Sequence, residues 1–177
     1  MSTEKDYRAR EIITNAVCGK GSKYSQTTFT IFPANRPTTI GGCWVMNHSY
    51  EAQLVGDTVE VSGNFDINVW YSYDGNSETA IAKDTVSYSE SIPLRDLDPH
   101  CTRDGLRVTV KAVQQPNCLD ANVVDNGSEI LVRVEKELTV EIIGQTKVWV
   151  LTVDAPNFKD VEDDGEEEIY EDDEFED

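Results

Sequence analysis

From Thr58 to Tyr73 the chain reads TVEVSGNFDINVWYSY, and its apolar residues fall on alternate positions. Val59, Val61, Phe65, Ile67, Val69, Tyr71 and Tyr73 share one parity, whereas Glu60, Ser62, Asn64, Asp66, Asn68 and Ser72 occupy the other. Successive side chains of a strand point to opposite faces, so this period of two predicts a strand with one buried face. Two residues break the rule. Trp70 puts a large aromatic on the polar face, and Gly63 interrupts the apolar row, where a bulge or bend is expected. A second ribbon repeats the pattern: Ile130, Val132, Val134, Leu138, Val140 and Ile142 alternate with Arg133, Glu135, Glu137, Thr139 and Glu141. Lys147 to Val153 closes the series after an expected break at Gly144.

Turn chemistry frames both ribbons. Asp74-Gly75-Asn76 and Asp125-Asn126-Gly127 are hairpin signals, because Gly and Asn accept the positive φ of tight turns. The first turn predicts a return strand over Glu78 to Ile92. There Val86, Tyr88, Ile92 and Leu94 agree in phase, but Ile81 does not, so a bulge or change of sheet is expected near Lys83. Tyr24 to Phe32 reads as a strand ending at Pro33, and Leu106 to Ala112 as another stopped by Pro116, with a further short strand over Cys118 to Val124. Gly41 to Val55 mixes turn glycines with an apolar run and is assigned a strand followed by a loop. Tyr7 to Val17 is assigned a short helix, since Ile12, Ile13, Ala16 and Val17 share a helical face and Gly19 to Gly21 supplies a stop. The sum is seven or eight strands in an all-β, antiparallel sandwich-like domain. The expected organisation is an N-terminal helical segment (1–23), a β domain (24–155) and a disordered acidic tail (159–177). The two amphipathic ribbons also suggest two similar half-units.

Charge changes the picture at one end only. The formal net charge is -19, and residues 159–177, with thirteen acids and one lysine, contribute -12 of it. The tail cannot bury enough apolar surface to fold. Its acids, Glu166, Glu167 and Glu168 among them, with Tyr170 and Phe175 as isolated apolar anchors, suit recruitment of a partner as well as simple solubility. No basic patch is present to neutralise phosphates, so nucleic acid and anionic membranes are poor partners. The sequence holds no run of the ~18 apolar residues that a membrane span needs, and the charged start lacks the apolar core of a secretion signal. A cytosolic origin with reduced thiols is the corresponding expectation for Cys18, Cys43, Cys101 and Cys118.

Candidate chemistry is sparse. Cys43, His48, His100, Cys101 and Cys118 are potential zinc ligands, but no Cys-x2-Cys pair supports them. Asp160, Glu162, Asp164, Gly165 and Glu171 match EF-hand loop spacing without flanking helices, an arrangement that an acidic run produces by accident. His100 beside Cys101 is the best candidate for an activated thiol. Motifs of hydrolases, zinc proteases and phosphate-binding loops are absent from the sequence, so neither an enzyme nor a cofactor is expected. Trp70 with Tyr71 and Tyr73 could stack sugars, as in a glycan-binding sandwich, or Trp70 could anchor a protein interface. A cation-binding acidic protein is the remaining alternative.

Five strings, REIITNAVCGKG, IGGCWVMNHSYEA, DINVWYSYDGN, VKAVQQPNC and VEKELTVEIIGQTKVWV, followed by the acidic tail, resemble the CotE family of outer spore-coat morphogenetic proteins. The resemblance covers nearly the whole chain. It implies a non-enzymatic protein made in the mother cell cytoplasm that then coats the forespore surface. It further implies self-association, docking on inner coat proteins and recruitment of outer coat proteins, with oligomerisation in residues 1 to about 155 and recruitment in the tail. Interface candidates on this reading are Ile12, Ile13 and Trp70. In a spore coat the four cysteines could also become cross-links between molecules.

Overall fold

The alternating ribbons become strands much longer than the usual handful of residues. The computed structural model describes residues 8–124 and 127–152. These form β1 (Arg8–Ile31), β2 (Pro37–Val55), β3 (Thr58–Tyr73), β4 (Glu78–Pro93), β5 (Arg107–Val123) and β6 (Ile130–Thr152). They make two three-stranded antiparallel sheets, β2-β3-β4 and β1-β6-β5. Each sheet contains one of the two hairpins anticipated from the turn signals.

The two strands with the cleanest alternation are the central strands, and their apolar rows form the core. Phe65, Ile67, Val69 and Tyr71 of β3 pack with Ile130, Val132 and Val134 of β6, joined by Ile31 and Ala82. A second cluster joins Val59 and Val61 of β3 to Leu138, Val140 and Ile142 of β6, with Cys18, Ile92 and Leu94. Full burial of each such aliphatic side chain contributes roughly 1.5–3 kcal/mol, so these facing rows are the main source of cohesion.

The β3–β4 hairpin turns through Asp74, Gly75 and Asn76, all with positive φ (50°, 63° and 70°). The Ser77 N–H donates to the Asp74 carbonyl at 3.2 Å. The β2–β3 connection is tighter, with Val55 paired to Thr58 and Gly56 at φ 62°.

Several expectations are corrected. Residues 8–17 are not a helix: they belong to β1, so Ile12 and Ile13, as neighbours on a strand, point to opposite faces. The β-branched run Ile12-Ile13-Thr14 favours the extended form, and pairing beside β6 satisfies its backbone. Among the described residues there are six strands rather than seven or eight, because the expected breaks at Pro116 and Gly144 are absent. Gly41 to Val55 is strand throughout. β6 runs through Gly144 without ending. β5 runs through Pro116, which lies where the pairing skips between Gln114 and Asn117. An edge strand with a bulge is where a residue lacking an N–H can sit.

The bulges expected at Gly63 and near Lys83 do not occur, since β3 and β4 pair without interruption from Thr58↔Pro93 to Tyr73↔Glu78. The irregularities lie on β2 instead, between Ile40 and Gly42 and between Met46 and Ser49, where Asn47 takes φ 56°. The described ends of the first and last strands, residues 8–11 and 149–152, separate from the rest as a unit of their own. Within it the Thr152 hydroxyl donates to the Arg8 carbonyl at 3.0 Å.

Candidate functional site

The two phase errors of the sequence explain each other. Trp70 on β3 pairs directly with Ile81 on β4, so both point to the outer face of the β2-β3-β4 sheet. On β2 the bulge at Gly41 resets the phase so that Trp44 and Met46 lie opposite Asn68 and Asp66, again on the outer face. Trp44, Met46, Trp70 and Ile81 are thereby gathered on one side at 42%, 45%, 46% and 58% exposure. The Trp70 indole lies flat against Gly41, whose Cβ, were there one, would sit 2.8 Å from Cε3. Two tryptophans, a methionine and an isoleucine on one solvent-facing sheet surface form a patch of the composition that interfaces favour.

A polar group holds the floor of this face. Asp66 accepts hydrogen bonds from Asn47 Nδ2 at 2.7 Å and Thr85 Oγ1 at 2.6 Å and pairs with Lys83 Nζ at 3.3 Å. The Thr85 and Asn47 bonds, with help from Lys83, hold its carboxyl down to about 2, against about 3.9 in an unfolded chain. A carboxyl depressed in the folded state contributes stability that is present above the unfolded pKa and lost as pH falls through the folded one. The wild-type melting temperature should therefore drop more steeply between about pH 4 and pH 2 than that of Asp66→Asn, which has nothing to titrate there. Parallel acid profiles of the two proteins would refute the assignment.

A second polar cluster lies inside and divides the two halves of the core. Lys136 occupies an apolar-phase position of β6 and is buried, as is Glu90 of β4. The Lys136 ammonium donates to Glu90 Oε1 and to Ser25 Oγ at 2.9 Å, and it sits 4.1 Å over the Tyr88 ring. Burial pushes the Glu90 carboxyl up, but the hydrogen bonds from Lys136 and Ser25 and the Lys136 charge outweigh it, so the net displacement is downward. Glu90 Oε2 has no hydrogen-bond partner. His48 bridges the sheets beside this pair. Its Nδ1–H donates to Gln115 Oε1 at 2.8 Å, which leaves Nε2 to accept the Tyr88 hydroxyl proton at 2.8 Å. Burial lowers its pKa, in keeping with a neutral ring in this role.

The anticipated site residues are dispersed. Trp70 is exposed as expected; Ile12 and Ile13 are exposed but on opposite faces of β1. The expectation of four reduced thiols fails for two: Cys18 and Cys101 form a disulfide, where Gly144 makes room, since a Cβ there would approach Cys101 Sγ to 2.8 Å. Cys43 and Cys118 are free thiols. The zinc ligands considered do not converge: among the described residues no group of three or more metal-ligating side chains occurs. The tail residues Glu166, Glu167, Glu168, Tyr170 and Phe175, and the acidic loop with EF-hand spacing, lie outside the described residues. No helix among those described is long and apolar enough to cross a membrane. Sequence reasoning missed Trp44, Met46, Lys136 and Glu90. The signals were present, since a lysine between Val134 and Leu138 and a glutamate between Tyr88 and Ile92 break their apolar rows.

The fold and its exposed chemistry define an all-β protein of two facing antiparallel sheets with an apolar outer face. The family model of outer spore coat protein E (CotE) matches residues 8–177, and the chain belongs to that family. It is thus placed among the proteins of the spore coat. Comparisons with curated proteins and with solved structures gave no match.

Proposed function

We propose that this chain is a non-enzymatic morphogenetic subunit of the spore coat that associates with copies of itself and recruits outer coat proteins. The observation that carries this reading is the outer-face patch of Trp44, Met46, Trp70 and Ile81. Contiguous exposed apolar surface of this kind marks an interaction site, and Trp is a favoured interface anchor. In this reading the β domain supplies the self-association surface. The acidic tail supplies a separate electrostatic contact for partners, including the inner coat proteins on which the layer docks. Synthesis in the mother cell cytoplasm and deposition on the forespore surface belong to the same proposal.

Light scattering on the size-fractionated full chain tests it. Wild type should form large oligomers, and Trp70→Ser should shift the distribution towards monomer while the melting temperature moves by only a few degrees, as for a surface substitution of about 0.5 kcal/mol. Ile81→Ser, at a more exposed position of the same row, should act alike and guards against a Trp70 variant that simply unfolds. A wild-type chain that stays monomeric at every concentration would overturn the proposal. So would calorimetric binding of coat sugars that is lost with Trp70 while assembly is unaffected.

A further inference from the structure

The Cys18–Cys101 disulfide serves one half of the core, where Cys18 packs with Val59, Ile92 and Leu138. The other half contains both free thiols. Cys43 and Cys118 each pack against the cluster built on Ile67, Val69, Val132 and Val134, and they come from different sheets. Cys43 of β2 pairs with Val69 of β3 and Cys118 of β5 with Val134 of β6, so each shares the inward side of its sheet. The register shift between Cys118 and Asp120 lets the Cys118 thiol donate to the Asp120 carbonyl at 3.5 Å. The two thiols lie close enough to influence each other's ionisation. Two half-buried thiols from different sheets, packed against the same apolar cluster, are placed as the reduced form of a cross-link.

We propose that Cys43 and Cys118 are the site of a second intrachain disulfide, joining β2 to β5, so that all four cysteines pair within the molecule instead of between molecules. The oxidant is a small-molecule disulfide of the glutathione type. The Cys118 thiolate attacks one of its sulfurs, forming a mixed disulfide and releasing one small thiolate. Cys43 then attacks the Cys118 sulfur of that mixed disulfide, forming the Cys43–Cys118 bond and releasing the second small thiolate. The two protons lost by the cysteines end on the two released thiols, and the two electrons lost by the protein reduce the small disulfide. Burial raises both thiols, Cys43 far above the usual range, and the neighbouring Cys43 thiol partly offsets this at Cys118. That order makes Cys118 the first attacker and predicts a slow reaction at neutral pH.

The test uses the full native chain incubated with oxidised glutathione, followed by thiol counting, intact mass and peptide mapping. The native protein should titrate two thiols and the treated protein none. Its mass should fall by two hydrogens, with a linked Cys43–Cys118 peptide and no new covalent dimer on non-reducing gels. Its melting temperature should rise on the order of 10 °C, as for a cross-link closing a long loop. Cys43→Ser should instead stop at a glutathione adduct on Cys118; if that variant misfolds, Cys118→Ser with an adduct on Cys43 gives the same reading. Stable adducts on the wild-type thiols, survival of both as free thiols, or Cys43 or Cys118 linked to another chain would each overturn the proposal.

Discussion

Replacing Lys136 with methionine is expected to destabilise the fold by about 3–5 kcal/mol, measured by denaturant unfolding at neutral pH. The side chain is buried, and its ammonium is the group that neutralises Glu90. Removing it strands a carboxylate, one oxygen of which already has no hydrogen-bond partner, in an interior that solvates charge poorly. The double variant Lys136→Met/Glu90→Leu should recover most of the loss, because a buried ion pair is often no more stable than apolar residues of similar volume. The pH dependence should change sign. In the wild type Glu90 is held below its ordinary value, so its contribution is present above the unfolded pKa of about 4.3 and is lost on acidification. In Lys136→Met, burial, the largest influence on Glu90, is opposed only by Ser25 and the Lys23 charge; the folded pKa is expected above the unfolded one, and the variant should lose stability as pH rises through that interval. A single variant within about 1 kcal/mol of wild type would mean that the pair is not desolvated.

Gly63→Val should cost about 3 kcal/mol, at the upper end for overpacking a core site. Gly63 pairs with Tyr88 across β3 and β4, and the Tyr88 ring covers the place a side chain would occupy. A Cβ there would lie 2.7 Å from Tyr88 Cζ and 2.6 Å from the Ser49 carbonyl oxygen. An aromatic laid over a glycine on the neighbouring strand is a known way to stabilise a sheet at that point. Here the same ring supports the Lys136 ammonium and hydrogen-bonds His48, so displacing it also disturbs the polar cluster. In a double-mutant cycle with Tyr88→Ala the two substitutions should be non-additive by at least about 1 kcal/mol. Additive losses would place the damage in the Ser49 backbone instead.

The burial of β3 and β6 was legible because a period of two survives any length of strand, and Val59 to Tyr71 and Ile130 to Ile142 keep it. The helix assigned at residues 7–17 failed because Ile12, Ile13, Ala16 and Val17 also fit a helical face, and a short segment offers too few turns to decide. Only pairing with β6, a contact distant in sequence, settled it. Gly63 and Ile81 were correctly singled out as anomalies but read as backbone irregularities. In both cases the cause is a side chain on the next strand, Tyr88 in one and Trp70 in the other, and cross-strand register is not written in a single strand. The disulfide was beyond reach for a related reason, since four cysteines allow three connectivities and spacing does not choose among them.

The hydrogen bond from Thr152 to Arg8 has a topographic consequence. Whatever precedes residue 8 and whatever follows residue 152 depart from adjacent points on two strands, so a common exit serves both ends. Arg8 and Arg10 lie on the described end of β1 at this exit. A label placed at residue 8 and one placed at residue 152 would therefore crowd the same exit, and interference at one should be felt at the other.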